Sequence, residues 1–249
     1  MKTVAILNNK GGVGKTATAV NLAYNLTELG KRVLLVDMDP QGNASAFYKR
    51  YDLTKKSVKE VLERKTRLTA AIRRTNYIDL DIIPANMTLQ LLREEKLDQG
   101  ERTLFKKLWD IRNRYAYCII DCPPAISVLT NVALCAADRV IVPVKATEYA
   151  KNGLSMVLDY AYEYEIDASC LWTMYARGKI EREVMQEIMS EYDCHVYENV
   201  IRRSSAVEKS ERRHRPLLKC ASKAPATLDY MEFTKEFEEE MEAIGNEIE

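Results

Sequence analysis

The stretch VAILNNKGGVGKTATAVNLAYNLTELG, residues 4–30, decides the fold. VAILN (4–8) is a short apolar run, and a glycine-rich turn follows it. From Lys15 to Leu29 the apolar positions then recur at helical spacing until Gly30 stops them. This is a strand, a loop and a helix, the context in which a glycine-rich loop cradles phosphate. The strict pattern GxxxxGK[ST] fails by one residue, because Asn9 stands where its first glycine would fall. Gly11, Gly12 and Gly14 still allow backbone N–H groups to turn toward phosphate oxygens, and Lys15 and Thr16 open a helix whose N-terminus favours anions. Lys15 is positioned to reach the β- and γ-phosphates, and the Thr16 hydroxyl to coordinate Mg²⁺, an ion that takes oxygen ligands. A glycine-rich turn that merely reverses the chain would not need the lysine and threonine in this place.

Further apolar runs follow: RVLLVD (32–37), LDIIP (80–84), YCIID (117–121), RVIVPV (139–144) and CLWTMY (170–175). Segments of helical periodicity separate them, which predicts an α/β fold, doubly wound, with a mostly parallel sheet flanked by helices on both faces. Ser57 to Glu60 reads as a capping box, and a long helix is expected from about Pro225 into the tail. The 249 residues contain no repeat, linker or low-complexity break, so a single domain over 1–249 is expected. The opening MKTVAILNN is too short and polar for a signal peptide, and no run approaches the length needed to cross a bilayer, so the expected location is the cytoplasm. Cysteines 118, 122, 135, 170, 194 and 220 form no CxxC pair, which argues against zinc and against a disulfide framework. Basic and acidic residues balance at 37 each, so any attraction to nucleic acid must come from a local patch.

Lys10, at the start of KGGVGKT, adds a second lysine to the loop, and here the sequence resembles the ParA/MinD family of deviant P-loop ATPases, whose signature is KGGxGK[ST]. LLVDMDPQGNAS (34–45), IIDCPPAISVLTNVAL (119–134) and DRVIVPVKATEYAKNGLS (138–155) match the family's later motifs in order and spacing. The DxDPQGN and DCPP strings are similar to the ParA and Soj branch. The resemblance implies ATP and Mg²⁺ as cofactors, with Lys10, Gly11, Gly12, Val13, Gly14, Lys15, Thr16 and Ala17 around the nucleotide. It implies that Lys10 crosses a homodimer interface to phosphates held by the partner subunit, neutralising charge as an arginine finger does. Asp121 would hold the metal's coordination sphere, Asp39 would position the attacking water, and Asp37 would support the metal or loop. Read without the family, Asp37 and Asp39 are equally well turn residues before Pro40 and Gly42. Pro123 and Pro124 read as a nucleotide-sensing loop or as plain strand termination.

The motifs do not identify the cargo, which stays open between a DNA element and a protein cluster; the resemblance, with local charge, implies DNA. Residues 202–223 carry eight Lys or Arg against two Glu, and Arg202, Arg203, Lys219 and Lys223 are the candidate contacts to non-specific double-stranded DNA. The resemblance supplies a ParB-like centromere-binding partner and nucleoid association when ATP is bound. Lys55 to Arg74 is equally basic, but the family assigns it no role. Three departures matter. VIRRSS replaces the family's Pro-Arg-Asn near position 200, which leaves the adenine contacts unassigned; Ala17 replaces a frequent threonine; and no helix-turn-helix domain precedes the first strand, so operator reading is not expected. A MinD-like membrane role would need a basic amphipathic tail, whereas residues 232–249 carry eight glutamates against Lys235. An iron–sulfur reductase on the same fold would need bridging cysteines, and Cys118 and Cys122 read instead as strand and DCPP residues.

Overall fold

The computed structural model describes residues 1–247, and the side chains of all of these except 98, 99 and 244–247. Its strands are β1 (Lys2–Ile6), β2 (Val33–Asp37), β3 (Arg73–Arg74), β4 (Leu80–Ile83), β5 (Asp98–Glu101), β6 (Tyr117–Asp121), β7 (Arg139–Lys145), β8 (Ala168–Thr173) and β9 (His195–Val196). Between them lie α1 (Lys15–Glu28), α2 (Asn43–Phe47), α3 (Val58–Leu62), α4 (Leu68–Ala71), α5 (Thr103–Trp109), α6 (Val128–Leu134), α7 (Ala150–Glu163) and α8 (Lys179–Glu191). The chain ends with α9 (Ser205–Arg213), α10 (Leu217–Cys220) and α11 (Pro225–Glu247). Eight strands form one sheet in the order β3-β4-β2-β6-β1-β7-β8-β9, and only the β3–β4 pair is antiparallel.

All six predicted strands and the first helix form, with ends shifted by two residues at most. Period-two alternation sorts the side chains of the central strands between two cores. Val4 and Ile6, Val33 and Leu35, and Tyr117 and Ile119 face one core with α1 and α11. Ala5, Leu34, Val36, Cys118 and Ile120 face the other, with α5 to α8. With both faces covered, the strands read as unbroken apolar runs. The capping box is present: the Ser57 N–H and hydroxyl donate to Glu60 Oε2 at 2.8 and 2.7 Å. All six cysteines are free thiols. Among the described residues, no helix is long and apolar enough to cross a membrane. The acidic tail lies on α11, with residues 248 and 249 outside the described ones.

Parallel pairing places three strand ends side by side. Ile6 and Asp37 are both in register with Asp121, so the loops after β1, β2 and β6 open at one edge of the sheet. In open α/β sheets the carboxyl edge at a change of strand order is where ligands bind.

α11 closes the α1 side through Phe233 and Phe237, both fully buried, with the Phe233 ring edge-on to Tyr197 at 4.9 Å. Phe233→Ala is expected to lower the unfolding free energy in urea by about 3–5 kcal/mol. Leu228→Ala, on the exposed face of the same helix, is expected to change it by about 0.5 kcal/mol or less.

Candidate nucleotide and metal site

The loop between β1 and α1 is held from both sides. Asn8 Nδ2 donates to the Pro143 carbonyl at 2.8 Å, while Asn8 Oδ1 accepts the Lys10 N–H at 2.9 Å. Thr173 Oγ1, at the end of β8, donates to the Val13 carbonyl at 2.8 Å. Gly12 and Gly14 sit at φ +71° and +90°, left-handed conformations that a side chain would strain. Gly14 is the N-cap of α1 and supplies no side-chain cap, so the first amides of the helix stay open to an anion. Lys15 is buried, and its Nζ curls back to donate to the Lys10 carbonyl at 2.7 Å. Burial lowers its pKa, against the attraction of Asp121.

Asp121 is fully buried, and among the described residues neither carboxylate oxygen has a hydrogen-bond partner of good geometry. Burial and then the neighbouring Asp37 carboxylate push its pKa far up, while Thr16 and Lys15 oppose that shift. A buried carboxylate without a partner is costly, and a divalent cation would relieve it. Thr16 and Asp121 therefore fit a metal, and Lys15 with the α1 amides fits the phosphates beside it.

Asp37 is differently employed. Its Oδ2 accepts the Ser45 N–H at 2.8 Å and the Ser45 hydroxyl at 2.6 Å, and its Oδ1 accepts the Asp39 N–H at 3.1 Å. Burial nevertheless raises its pKa to about 6. The loop thus fills Asp37 with hydrogen bonds, which suits support of the metal site. Asp39 Oδ1 accepts the Gln41 N–H at 2.8 Å, so Asp39 builds a turn and lines the cleft together.

A cleft of about 580 Å³ runs from Gly11, Gly12, Gly14, Lys15, Thr16 and Ala17 past Asp39 to a far wall of Phe47, Met174, Val207, Glu211 and His214. That wall was not legible in the sequence: its residues come from three separate segments and carry no motif. Pro124 lines the cleft too. Lys10 is apart from the phosphate end, with its ammonium 5.8 Å from the centre of the Tyr149 ring on its own chain.

The four candidate DNA contacts are not equivalent. Arg202 is tied to Asp229, with Nη2 2.6 Å and Nε 3.0 Å from Oδ1. Lys219 lies 3.4 Å from Glu28 and over the Tyr24 ring. Arg203 and Lys223 are exposed. The fold also brings Lys49 beside the C-terminal basic stretch. Lys49, Arg215 and Lys219 line a second cleft of about 330 Å³ with Asn76 and Tyr77, and it shares Phe47 and His214 with the first cleft. Arg50 spends its donors on the carbonyls of Arg74 and Lys49 and on Asn76 Oδ1, so among the described residues no carboxylate neutralises it.

Comparison with known proteins agrees with this geometry. A family model described as an AAA domain matches residues 1–167. The sporulation initiation inhibitor protein Soj of Bacillus subtilis is 34% identical over 247 residues, covering 94% of this chain and 97% of Soj. The chromosome partitioning protein ParA of Caulobacter vibrioides is 33% identical, covering 95% and 93%. A Mycobacterium smegmatis cobyrinic acid a,c-diamide synthase solved with a bound ATP analogue and magnesium superposes with a TM-score of 0.78 at 30% identity, over 94% of this chain and 93% of that one. With the phosphate loop, the two strand-end aspartates and near full-length similarity all in agreement, the chain belongs to the AAA-domain family and, within it, to the ParA/Soj-type partition ATPases.

Proposed function

We propose that this chain hydrolyses ATP with Mg²⁺, forms a homodimer around the nucleotide, and in that state binds double-stranded DNA without sequence preference to segregate DNA with a ParB-like partner. The observation that carries the reading is the buried Asp121 carboxylate beside Thr16, which among the described residues accepts no hydrogen bond of good geometry, near the open N-terminus of α1. Mg²⁺, when bound, neutralises phosphate charge there. Lys15 and the backbone N–H groups of Gly11 to Ala17 orient the triphosphate. Asp39 holds the attacking water with the oxygen that Gln41 leaves unused. The apolar wall of Phe47, Met174 and Val207 takes the base. Lys10 reaches the partner's phosphates, and the slow turnover expected of such a site rises when the ParB-like partner docks. The protein works in the cytoplasm and lies on the nucleoid while ATP-bound.

The DNA phosphates are read by the basic surface around Lys49, Arg215 and Lys219, with Arg203, Arg215 and Lys223 making no ion pair among the described residues and Lys219 shared with Glu28. Arg202 acts mainly as a clamp between the segment joining β9 to α9 and α11, through Asp229. In fluorescence anisotropy with random duplex DNA and ATP·Mg²⁺, Arg203→Ala/Arg215→Ala is expected to weaken binding and flatten the salt dependence by about one unit of slope per lost phosphate contact. Arg202→Ala should chiefly lower the melting temperature. A protein that ignores DNA with ATP, ADP and no nucleotide alike would remove the segregation reading and leave the ATPase one.

The carboxylate pair makes a second expectation. Asp37 titrates near 6 in the folded chain against an ordinary 3.8, so the native state holds its proton more tightly than the unfolded state. Stability from this group is therefore greatest at low pH within the window and is lost as pH rises through about 6. Without Mg²⁺ and nucleotide, the melting temperature should be higher at pH 5.5 than at pH 7.5. Asp121→Asn removes one of the two coupled charges, and should narrow that difference, stabilise the protein at pH 7.5 by on the order of 1 kcal/mol, and abolish Mg²⁺-dependent ATP turnover. Undiminished turnover in this variant would rule out Asp121 as the metal-holding group.

A further inference from the structure

Gly153 lies inside α7, in a backbone conformation open to any residue. A glycine there weakens the helix relative to alanine, so its place calls for a reason other than backbone geometry. The reason is clearance. A Cβ at this position would stand 3.3 Å from both Cδ and Cε of Lys10 and 3.1 Å from Asn9 Oδ1. The stem of Lys10 lies across the bare backbone of Gly153, and its ammonium ends 5.8 Å from the centre of the Tyr149 ring, at the start of the same helix. Tyr149 is 71% exposed and so is available to the cation. Asn9 adds a third contact, its Nδ2 donating to Met156 Sδ at 3.1 Å. Among the described residues Lys10 makes no ion pair, so a ring face and a glycine notch hold it, and neither binds a lysine tightly.

We propose that Tyr149 and Gly153 form a holster at the start of α7 that keeps Lys10 folded against its own chain and so sets the protein concentration at which nucleotide-driven dimerisation begins. The inference rests on the proposed dimer, in which Lys10 crosses to the partner. A lysine held on its own chain is not available to the partner's phosphates, so the apparent dimerisation constant is weakened by the fraction of molecules in the released state. Tyr149 and Gly153 act as positioning residues through Lys10. An exposed cation–π contact shifts such a population by about two- to fivefold.

The test measures the monomer–dimer midpoint of the full chain by sedimentation with Mg²⁺ and a non-hydrolysable ATP analogue. Tyr149→Leu, which removes the ring face, and Gly153→Ala, which fills the notch, are expected to lower the midpoint by about two- to fivefold or more. Tyr149→Phe keeps the ring and should match the wild type, a rescue that a purely structural role of α7 would not give. Midpoints of the Leu and Ala variants at or above the wild-type value would overturn the proposal, as would a Phe variant that behaves like Leu. A second readout needs no dimer. After reductive ¹³C-methylation, which keeps the charge, the Lys10 methyl resonance of the nucleotide-free protein should show an upfield ring-current shift, assigned with Lys10→Arg. The shift should vanish in Tyr149→Leu and persist in Tyr149→Phe. An unshifted Lys10 resonance in the wild type overturns the holster by itself, whereas a shifted resonance in a protein that stays monomeric with the analogue overturns the dimer reading and the threshold with it.

Discussion

The structure depends on one constraint: the chain must leave β1 and enter α1 with no side chain capping the helix. Gly12 and Gly14 make the turn through left-handed backbone, and Gly14 as N-cap offers nothing to the amides behind it. Those amides point to the edge of the sheet where β2 and β6 end in Asp37 and Asp121. Register does the rest. Because Ile6, Asp37 and Asp121 are level across three parallel neighbours, the anion-seeking helix end and the cation-seeking carboxylates share one place. Phosphate and a divalent metal are the ligands that answer both demands together.

The same arrangement is unfavourable for the empty fold. Two carboxylates are fully buried at adjacent strand ends, and only Asp37 has its oxygens filled by the Ser45 and Asp39 donors. Asp121 lacks such donors among the described residues, which is the ground for proposing a cation there. Stability here is given up locally for binding, and the rest of the molecule offsets it with two apolar cores, one on each face of the sheet. α11 contributes to that offset through Phe233 and Phe237, although its polar face is strongly acidic.

Most of this was legible in the sequence because the signals were local. Strand, glycine turn and helix are contiguous in residues 4–30, and the central strands are apolar runs because both of their faces are covered. The short strands β3, β5 and β9 were missed, since two to four residues carry no period. The far wall of the cleft was illegible for another reason: Phe47, Met174 and the helix that carries Val207 and His214 meet only through tertiary folding. Charge was the least readable property. Composition ranked Arg202 with its neighbours, but the fold commits it to Asp229, and it brings Lys49 beside Arg215 and Lys219, a meeting that no linear count reveals.

The central claim is that Lys15, Thr16 and Asp121 hold a nucleotide together with its metal. The most direct measurement is the affinity of a fluorescent ATP analogue for wild type, Thr16→Val and Lys15→Ala, titrated with Mg²⁺ present and with Mg²⁺ chelated. The account predicts tight binding by the wild type that weakens sharply on chelation, a Thr16→Val variant whose affinity no longer responds to Mg²⁺, and a Lys15→Ala variant that binds poorly in both conditions. Wild-type binding that is indifferent to Mg²⁺, or a Thr16→Val variant that responds as the wild type does, would contradict it.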